Sequence, residues 1–95
     1  MFTWDVSKAI SNFEKHGVSF EEAATVFSDA DGLHLEAKHV GKELRFFRIG
    51  QSSRGKVLIV VFTVRKLGRD KEAIRIISAR QTSKKEREAY RRLKN

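Results

Sequence analysis

The chain has 95 residues, 20 of them Lys or Arg and 12 Asp or Glu, giving a formal net charge of +8 and a pI near 10.2. That length suits one small domain over residues 1–95, and 40% hydrophobic residues, with seven Phe and one Trp, exclude a wholly disordered chain. The lack of Cys excludes disulfides and thiolate-bound metal, the longest apolar run (57–62) is too short to cross a bilayer, and no signal-peptide core follows Met1. The expectation is a soluble, cytoplasmic, basic domain.

In chain order, Asp5 is placed to cap a first helix whose apolar residues Val6, Ala9, Ile10 and Phe13 follow helical spacing, with Gly17 as its stop. Ser19-Phe20-Glu21-Glu22 is a capping-box pattern opening a second helix through Phe20, Ala23, Ala24 and Phe27. A turn over 29–32, a short strand over 33–36 and a loop over 37–42 follow. From Glu43 the period becomes strand-like, over 43–50, 56–65 and 73–80, with connections at 51–55 and 66–72 that suit hairpins. Ser83-Lys84-Lys85-Glu86 is a second capping box, opening a basic C-terminal helix with Ala89, Tyr90 and Leu93 as a sparse apolar stripe. The fold class is therefore α+β: two N-terminal helices, an antiparallel sheet of three to four strands, and a C-terminal helix.

Charge is divided unevenly along this plan. Four Lys, no Arg and seven acids give residues 1–42 a charge of −3; six Lys, all ten Arg and five acids give residues 43–95 a charge of +11. Such asymmetry reads either as a solvated basic surface or as one side of the molecule meeting a polyanion. Arg in excess of Lys favours the second, because the planar guanidinium fork matches phosphate.

Hairpin geometry allows a register to be set. With Ile49 facing Val57, Arg45 falls opposite Val61 and Glu43 opposite Thr63, and a symmetric second hairpin puts Arg75 opposite Thr63. One sheet face then carries Glu43, Arg45, Phe47, Ile49, Val57, Ile59, Val61, Thr63 and Arg65 with Arg75 and Ile77 beside them, while Leu44, Phe46, Leu58, Val60, Phe62, Val64, Ile74 and Ile76 take the helices. One bulge would reverse parity, which leaves the faces of Ser78 and Arg80 open. Arg45, Arg65 and Arg75 beside Thr63 would form a phosphate-sized pocket, with Glu43 orienting them or accepting a proton. Read structurally, the same Glu/Arg pairs are ordinary cross-strand stabilisation of ~0.2–1 kcal/mol each. His16, at a helix C-terminus, reads as a dipole-complementing cap or as an acid–base group. His34 and His39 with Glu36 make a weak metal signal, and no metal or other cofactor is expected. Trp4 and Phe2 read as packing residues. There is no phosphate-binding glycine loop, nucleophile elbow or zinc-protease pattern.

The ordered strings Trp4-Asp5, Lys8, Asn12, Lys15-His16-Gly17-Val18-Ser19-Phe20-Glu21-Glu22-Ala23, Val26-Phe27 and Asp29 resemble the N-terminal signature of the BrnT family of bacterial toxins. Glu43-x-Arg45, Ile49-Gly50, Thr63-x-Arg65, Arg75-Ile76-Ile77-Ser78-Ala79-Arg80 and Glu86-Arg87-x-x-Tyr90 continue it in order. The chain departs from the pattern in the loop 66–72, which is somewhat long, and at Gln81-Thr82, differences that bear on substrate access. The resemblance implies a RelE-like fold and a metal-independent ribonuclease toxin, with RNA as substrate, a cognate BrnA-type antitoxin, and operator DNA bound through the antitoxin complex. Thr63, Arg65 and Arg80 match positions in the family's active-site region; Lys15, His16, Glu43, Arg45 and Arg75 match recurring motif positions. On that basis Arg65 and Arg80, helped by Arg45 or Arg75, would hold the scissile phosphate while the 2′-hydroxyl attacks, and Thr63 would position a phosphate oxygen. Glu43 and His16 are the candidate proton acceptors, and Lys15 the donor to the leaving oxygen. A non-catalytic nucleic-acid- or antitoxin-binding module, acting as a transcriptional co-repressor, explains the +11 half equally well, because phosphate neutralisation alone gives binding.

Overall fold

A computed structural model describes residues 1–94; Asn95, the end of the expected basic helix, lies outside the described residues. Helix α1 (Val6–His16) starts where Asp5 accepts from the Lys8 N–H at 3.1 Å, and ends where Gly17 turns left-handed (φ 69°) and donates its N–H to Phe13 O at 2.8 Å. Helix α2 (Phe20–Thr25) is capped by Ser19, which accepts from the Glu22 N–H at 3.0 Å, and continues as a 3-10 turn, Val26–Ser28. Only half of that capping box forms. The Glu22 carboxylate, nearly buried, instead accepts from the Ser52 hydroxyl at 2.7 Å and ties α2 to the turn between two later strands.

The sheet has six strands, not three or four: β1 (Phe2–Thr3), β2 (Leu33–His34), β3 (Lys38–Val40), β4 (Glu43–Gln51), β5 (Val57–Lys66) and β6 (Glu72–Gln81). Their order is β1-β6-β5-β4-β2, with β3 folded onto β4. The three long strands are those expected. The additions are two- and three-residue edge pieces, too short to show a period of their own, and β3 lies in the segment expected to be a loop. Nor is the sheet wholly antiparallel, since β1 runs parallel to β6 with Phe2 beside Ile74.

The first hairpin is two residues out of the expected register. Gln51 pairs with Val57 and Ile49 with Ile59, because the turn is residues 52–56, closed by Ser52 N–H to Lys56 O at 2.7 Å with Gly55 at φ 79°. A shift of two keeps every side chain on its expected face. The β4–β5 pairing ends at Phe46 with Phe62, so Arg45 is not opposite Val61 nor Glu43 opposite Thr63; they pair instead with Lys38 and Val40 of β3.

Leu58, Val60, Ile76 and Ala79 pack against Val18, Phe20, Ala23 and Val26, all nearly or wholly buried. Burying each of the larger side chains is worth about 1.5–3 kcal/mol. Trp4 joins this core edge-on to Phe20, with ring centroids 6.0 Å apart. On the opposite face, helix α3 (Lys84–Lys94) sets Tyr90 over Ile49, Val57 and Ile59. The Tyr90 hydroxyl donates to Asp29, which also accepts from the Gln51 N–H at 2.7 Å. Burial pushes the Tyr90 hydroxyl up, and the Asp29 bond adds to this, to about 12. Burial alone would raise Asp29, but the Gln51, Tyr90 and Asp31 donors hold it below its usual value.

Arg48 is an interior residue, unlike the rest of the basic half. It donates to Asp29 O at 2.8 Å and Val26 O at 3.4 Å, meets His34 Nε2 at 2.6 Å, and lies over the Phe27 ring. Gly50 sits directly under the 3-10 turn, where a Cβ would come within 2.7 Å of Val26 Cγ1. The buried side chain of α1 is Asn12 rather than its apolar stripe; Val6, Ile10 and Phe13 are exposed. Asn12 acts as a one-residue strand on the β6 edge beyond β1. Its amide donates to Ala79 O at 2.9 Å and Val18 O at 3.0 Å, and accepts from the Ala79 N–H at 3.1 Å.

The box opening α3 is complete. Ser83 Oγ accepts from the Glu86 N–H at 3.2 Å, and Glu86 accepts from the Ser83 N–H at 2.8 Å. Glu86 also takes both guanidinium ends of Arg80, and that bond, with Ser83, holds its carboxyl at about 2 instead of 4.5.

Two outcomes follow. Asn12→Ala should lose about 1–3 kcal/mol in urea denaturation by stranding the buried Ala79 and Val18 groups; Asn12→Asp should also destabilise, since a carboxylate cannot donate to the two carbonyls. Because Glu86 is depressed in the fold, its stabilisation is complete above about pH 4.5 and drains away as pH falls towards 2. Denaturation midpoints across that window should fall less steeply in Glu86→Gln than in the parent chain.

Candidate active site

The sheet face opposite α1 and α2 is covered by α3 only over Ile49, Val57 and Ile59. Beyond them lie Phe47, Val61 and Ser78 in one row, then Thr63 and Arg75, then Arg65, with Glu43 within 3.8 Å of the Arg65 guanidinium. Arg75 and Arg80 are an odd number of residues apart, so a regular strand would point them to opposite faces. They share this face because β6 bulges: Val61 pairs with Ser78 and Phe62 with Ile76, leaving Ile77 as the extra residue. Arg80 consequently stands opposite Ile59, on the same side as Thr63.

The expected residues fall into two clusters, not one. Thr63 lies opposite Arg75, while Arg45 lies on the part of β4 that pairs with Lys38 of β3. Glu43 accepts from Arg45 Nε at 3.0 Å and stands 3.8 Å from Arg65, so one carboxylate aligns two guanidinium groups. Thr63 is only 4% exposed, and its Oγ1 has no hydrogen-bond partner among the described residues. A buried hydroxyl left without a partner is uncommon in a native fold. Thr63 and Arg65 line a cleft of about 390 Å³ with Lys42, Glu43, Lys66 and Glu72.

The second cluster is centred on Arg80, about 13 Å from Thr63 along the strand at ~3.3 Å per residue. His16, carried in by the last turn of α1, forms a cleft of about 310 Å³ with Phe47, Val61, Ser78 and Arg80. Arg80 donates from both terminal nitrogens to Glu86, at 2.9 and 3.0 Å, and to Gln81 O at 3.2 Å. These bonds raise its pKa further and leave Nε–H and one terminal N–H free for a ligand. Lys15 lies outside this cleft, on an adjoining hollow along the β6 edge that also holds His16 and Ser78.

The sequence reading overlooked three site residues. Alternation put Phe47 on the right face without marking it as a cleft wall. Ser78 depended on the bulge. Glu86 was legible as a helix cap, but its clamp on Arg80 joins two elements and has no local signal. Among the described residues no three His, Asp or Glu side chains gather as a metal site would need. No helix among them is long and apolar enough to cross a membrane.

Comparison with known proteins places this geometry. No curated protein matches the chain. The crystal structure of the Brucella abortus ribonuclease toxin BrnT matches with a TM-score of 0.60 and 25% sequence identity, over 88% of this chain and 99% of that one. The family model for the ribonuclease toxin BrnT of type II toxin–antitoxin systems matches residues 4–86, which takes in both clusters and the Glu86 clamp. The chain belongs to the BrnT family of ribonuclease toxins.

Proposed function

We propose that this chain is a toxin that cuts RNA without a metal ion in the cytoplasm, lowering translation and growth until a BrnA-type antitoxin neutralises it. The observation that carries this reading is the bulge-aligned face, which puts Arg80 in one cleft with His16 and on the same side of the sheet as Thr63 and Arg75, about 13 Å further along the strand. In the proposed step the 2′-hydroxyl oxygen bonds to phosphorus and the bond from phosphorus to the 5′-oxygen breaks, leaving a 2′,3′-cyclic phosphate and a 5′-hydroxyl. Arg80 offers its two free N–H groups to the non-bridging oxygens, where negative charge builds up in the transition state. His16 takes the 2′-hydroxyl proton, and Lys15 or solvent supplies one to the leaving oxygen. Glu43 is the weaker base candidate, because its carboxylate is engaged by Arg45 and Arg65. Thr63, Arg45, Arg65 and Arg75 hold the strand.

The α1 flank supports a protein partner. Val6, Ile10 and Phe13 stay exposed and, with Trp4 and Phe20, line a groove of about 540 Å³ flanked by Glu14 and Glu21. An acidic border repels RNA and suits an amphipathic antitoxin helix with basic flanks. Operator DNA would then be bound through the antitoxin.

Purified protein should cut RNA in EDTA to products ending in cyclic phosphate, and Arg80→Ala should slow this about 100-fold or more. Cleavage abolished by EDTA and restored by a divalent ion would sink the metal-free step; RNA binding with no cutting at all would return the co-repressor reading. Ile10→Asp combined with Phe13→Asp should release the chain from its cognate antitoxin in a pull-down while RNA cleavage persists.

A further inference from the structure

Between the two clusters lies a row of residues with no charge of its own: Phe47, Val61 and Ser78, adjacent across β4, β5 and β6. It stands about 7 Å from the Arg80 row and about 7 Å from the Thr63 row, at two residues of strand either way. Phe47 is half-buried, walls the Arg80 cleft, and presents its ring face outward, since the Lys38 ammonium sits over that face at 5.9 Å. None of the proposed phosphate chemistry uses this ring.

We infer that Phe47 is a nucleobase platform, and that the open face binds a single strand through two non-adjacent phosphates with an intervening base stacked on Phe47. This rests on the ribonuclease reading for the identity of the ligand and deepens it by naming the strand's form and path. The rows that carry Arg80 and Thr63 stand about 13 Å apart along the strand, a wider gap than that between neighbouring phosphates of one nucleic-acid strand. One set of groups is anchored at Arg80; the other is anchored at Thr63, whose buried hydroxyl lacks a partner. A flat aromatic face flanked by cationic groups is the arrangement by which proteins hold unpaired bases, and it is closed to a duplex, whose bases are already stacked and paired. Lys38 does not block the platform. An exposed cation over an aromatic ring is held more weakly than a stacked base, and a displaced Lys38 has the reach to meet the neighbouring phosphate.

The test uses short 2′-O-methyl RNA oligonucleotides, which cannot supply the attacking hydroxyl, with a single abasic position moved along the strand. The parent chain should lose about tenfold in affinity at one position and little at the others. Phe47→Leu should lose about tenfold on the intact strand and no longer distinguish the abasic position, whereas Phe47→Trp should bind at least as well as the parent and show fluorescence quenching. Uniform affinity across the abasic scan, parent-like binding by Phe47→Leu, or no binding of these strands by the parent would overturn the platform. Should Phe47→Leu fail to fold by circular dichroism, the parent's abasic scan and Phe47→Trp decide alone. Position-dependent binding without cleavage of ordinary RNA would sink the ribonuclease reading and leave the platform standing; cleavage with a flat abasic scan would do the reverse.

Discussion

Strand β6 carries one residue more than β5 pairs, and the surplus at Ile77 sets which side of the sheet each later side chain meets. Without it, Arg80 would point into the helix layer and Ala79 would leave the core, where it is now almost wholly buried against Val18 and Ala23. The same offset brings the Ala79 backbone to the Asn12 amide, which closes the sheet edge that β1 is too short to cover. One inserted residue therefore links three outcomes: the packing of α1, the protection of an edge strand and the assembly of a cationic face.

The basic half of the chain divides its arginines by task. Arg48 is spent inside, on the carbonyls at the end of the 3-10 turn, and is unavailable to any ligand. Arg45 and Arg65 are turned by Glu43, and Arg80 is clamped by Glu86. Exposed ion pairs of this kind contribute only about 0–1 kcal/mol to stability. Their consequence is orientation: a guanidinium already fixed at one edge gives up less side-chain freedom when its other edge meets a phosphate. In the Arg80 pair, the carboxylate that holds the cation also completes the cap of α3, so the site and the C-terminal helix share one anchor.

That helix is held at its other end by Tyr90 and Asp29, which connect it to the turn following α2 and to the end of β4. Of its basic residues, Arg87 donates back to Thr82 O at 3.3 Å and Lys94 lies over the Tyr90 ring, while Lys84, Lys85, Arg91 and Arg92 are exposed. The two faces of the molecule thus differ in chemistry. One side offers arginines and an aromatic ring, while the other offers an apolar helix flank bordered by glutamates.

Local rules in the sequence were enough for the helices and their caps, the three long strands and the faces of the β4 and β5 residues, whereas the faces of Ser78 and Arg80 on β6 waited on the bulge. Those features follow from spacings within a few residues, and the period of two survives even a two-residue error in register. The family signature also lay in the sequence, as an ordered set of short strings. Tertiary structure alone decided the short strands β1 and β3, the interior use of Arg48, the exposure of Val6, Ile10 and Phe13, the Arg80 clamp and the separation of the candidate residues into two clusters. Most depend on partners far along the chain, such as the 67-residue span between Asn12 and Ala79, and even the six-residue reach from Arg80 to Glu86 joins a strand to a helix, so no local periodicity encodes them. The opening charge of +8 was a property of composition; that Arg75 and Arg80 share one face of the sheet was settled by one bulge.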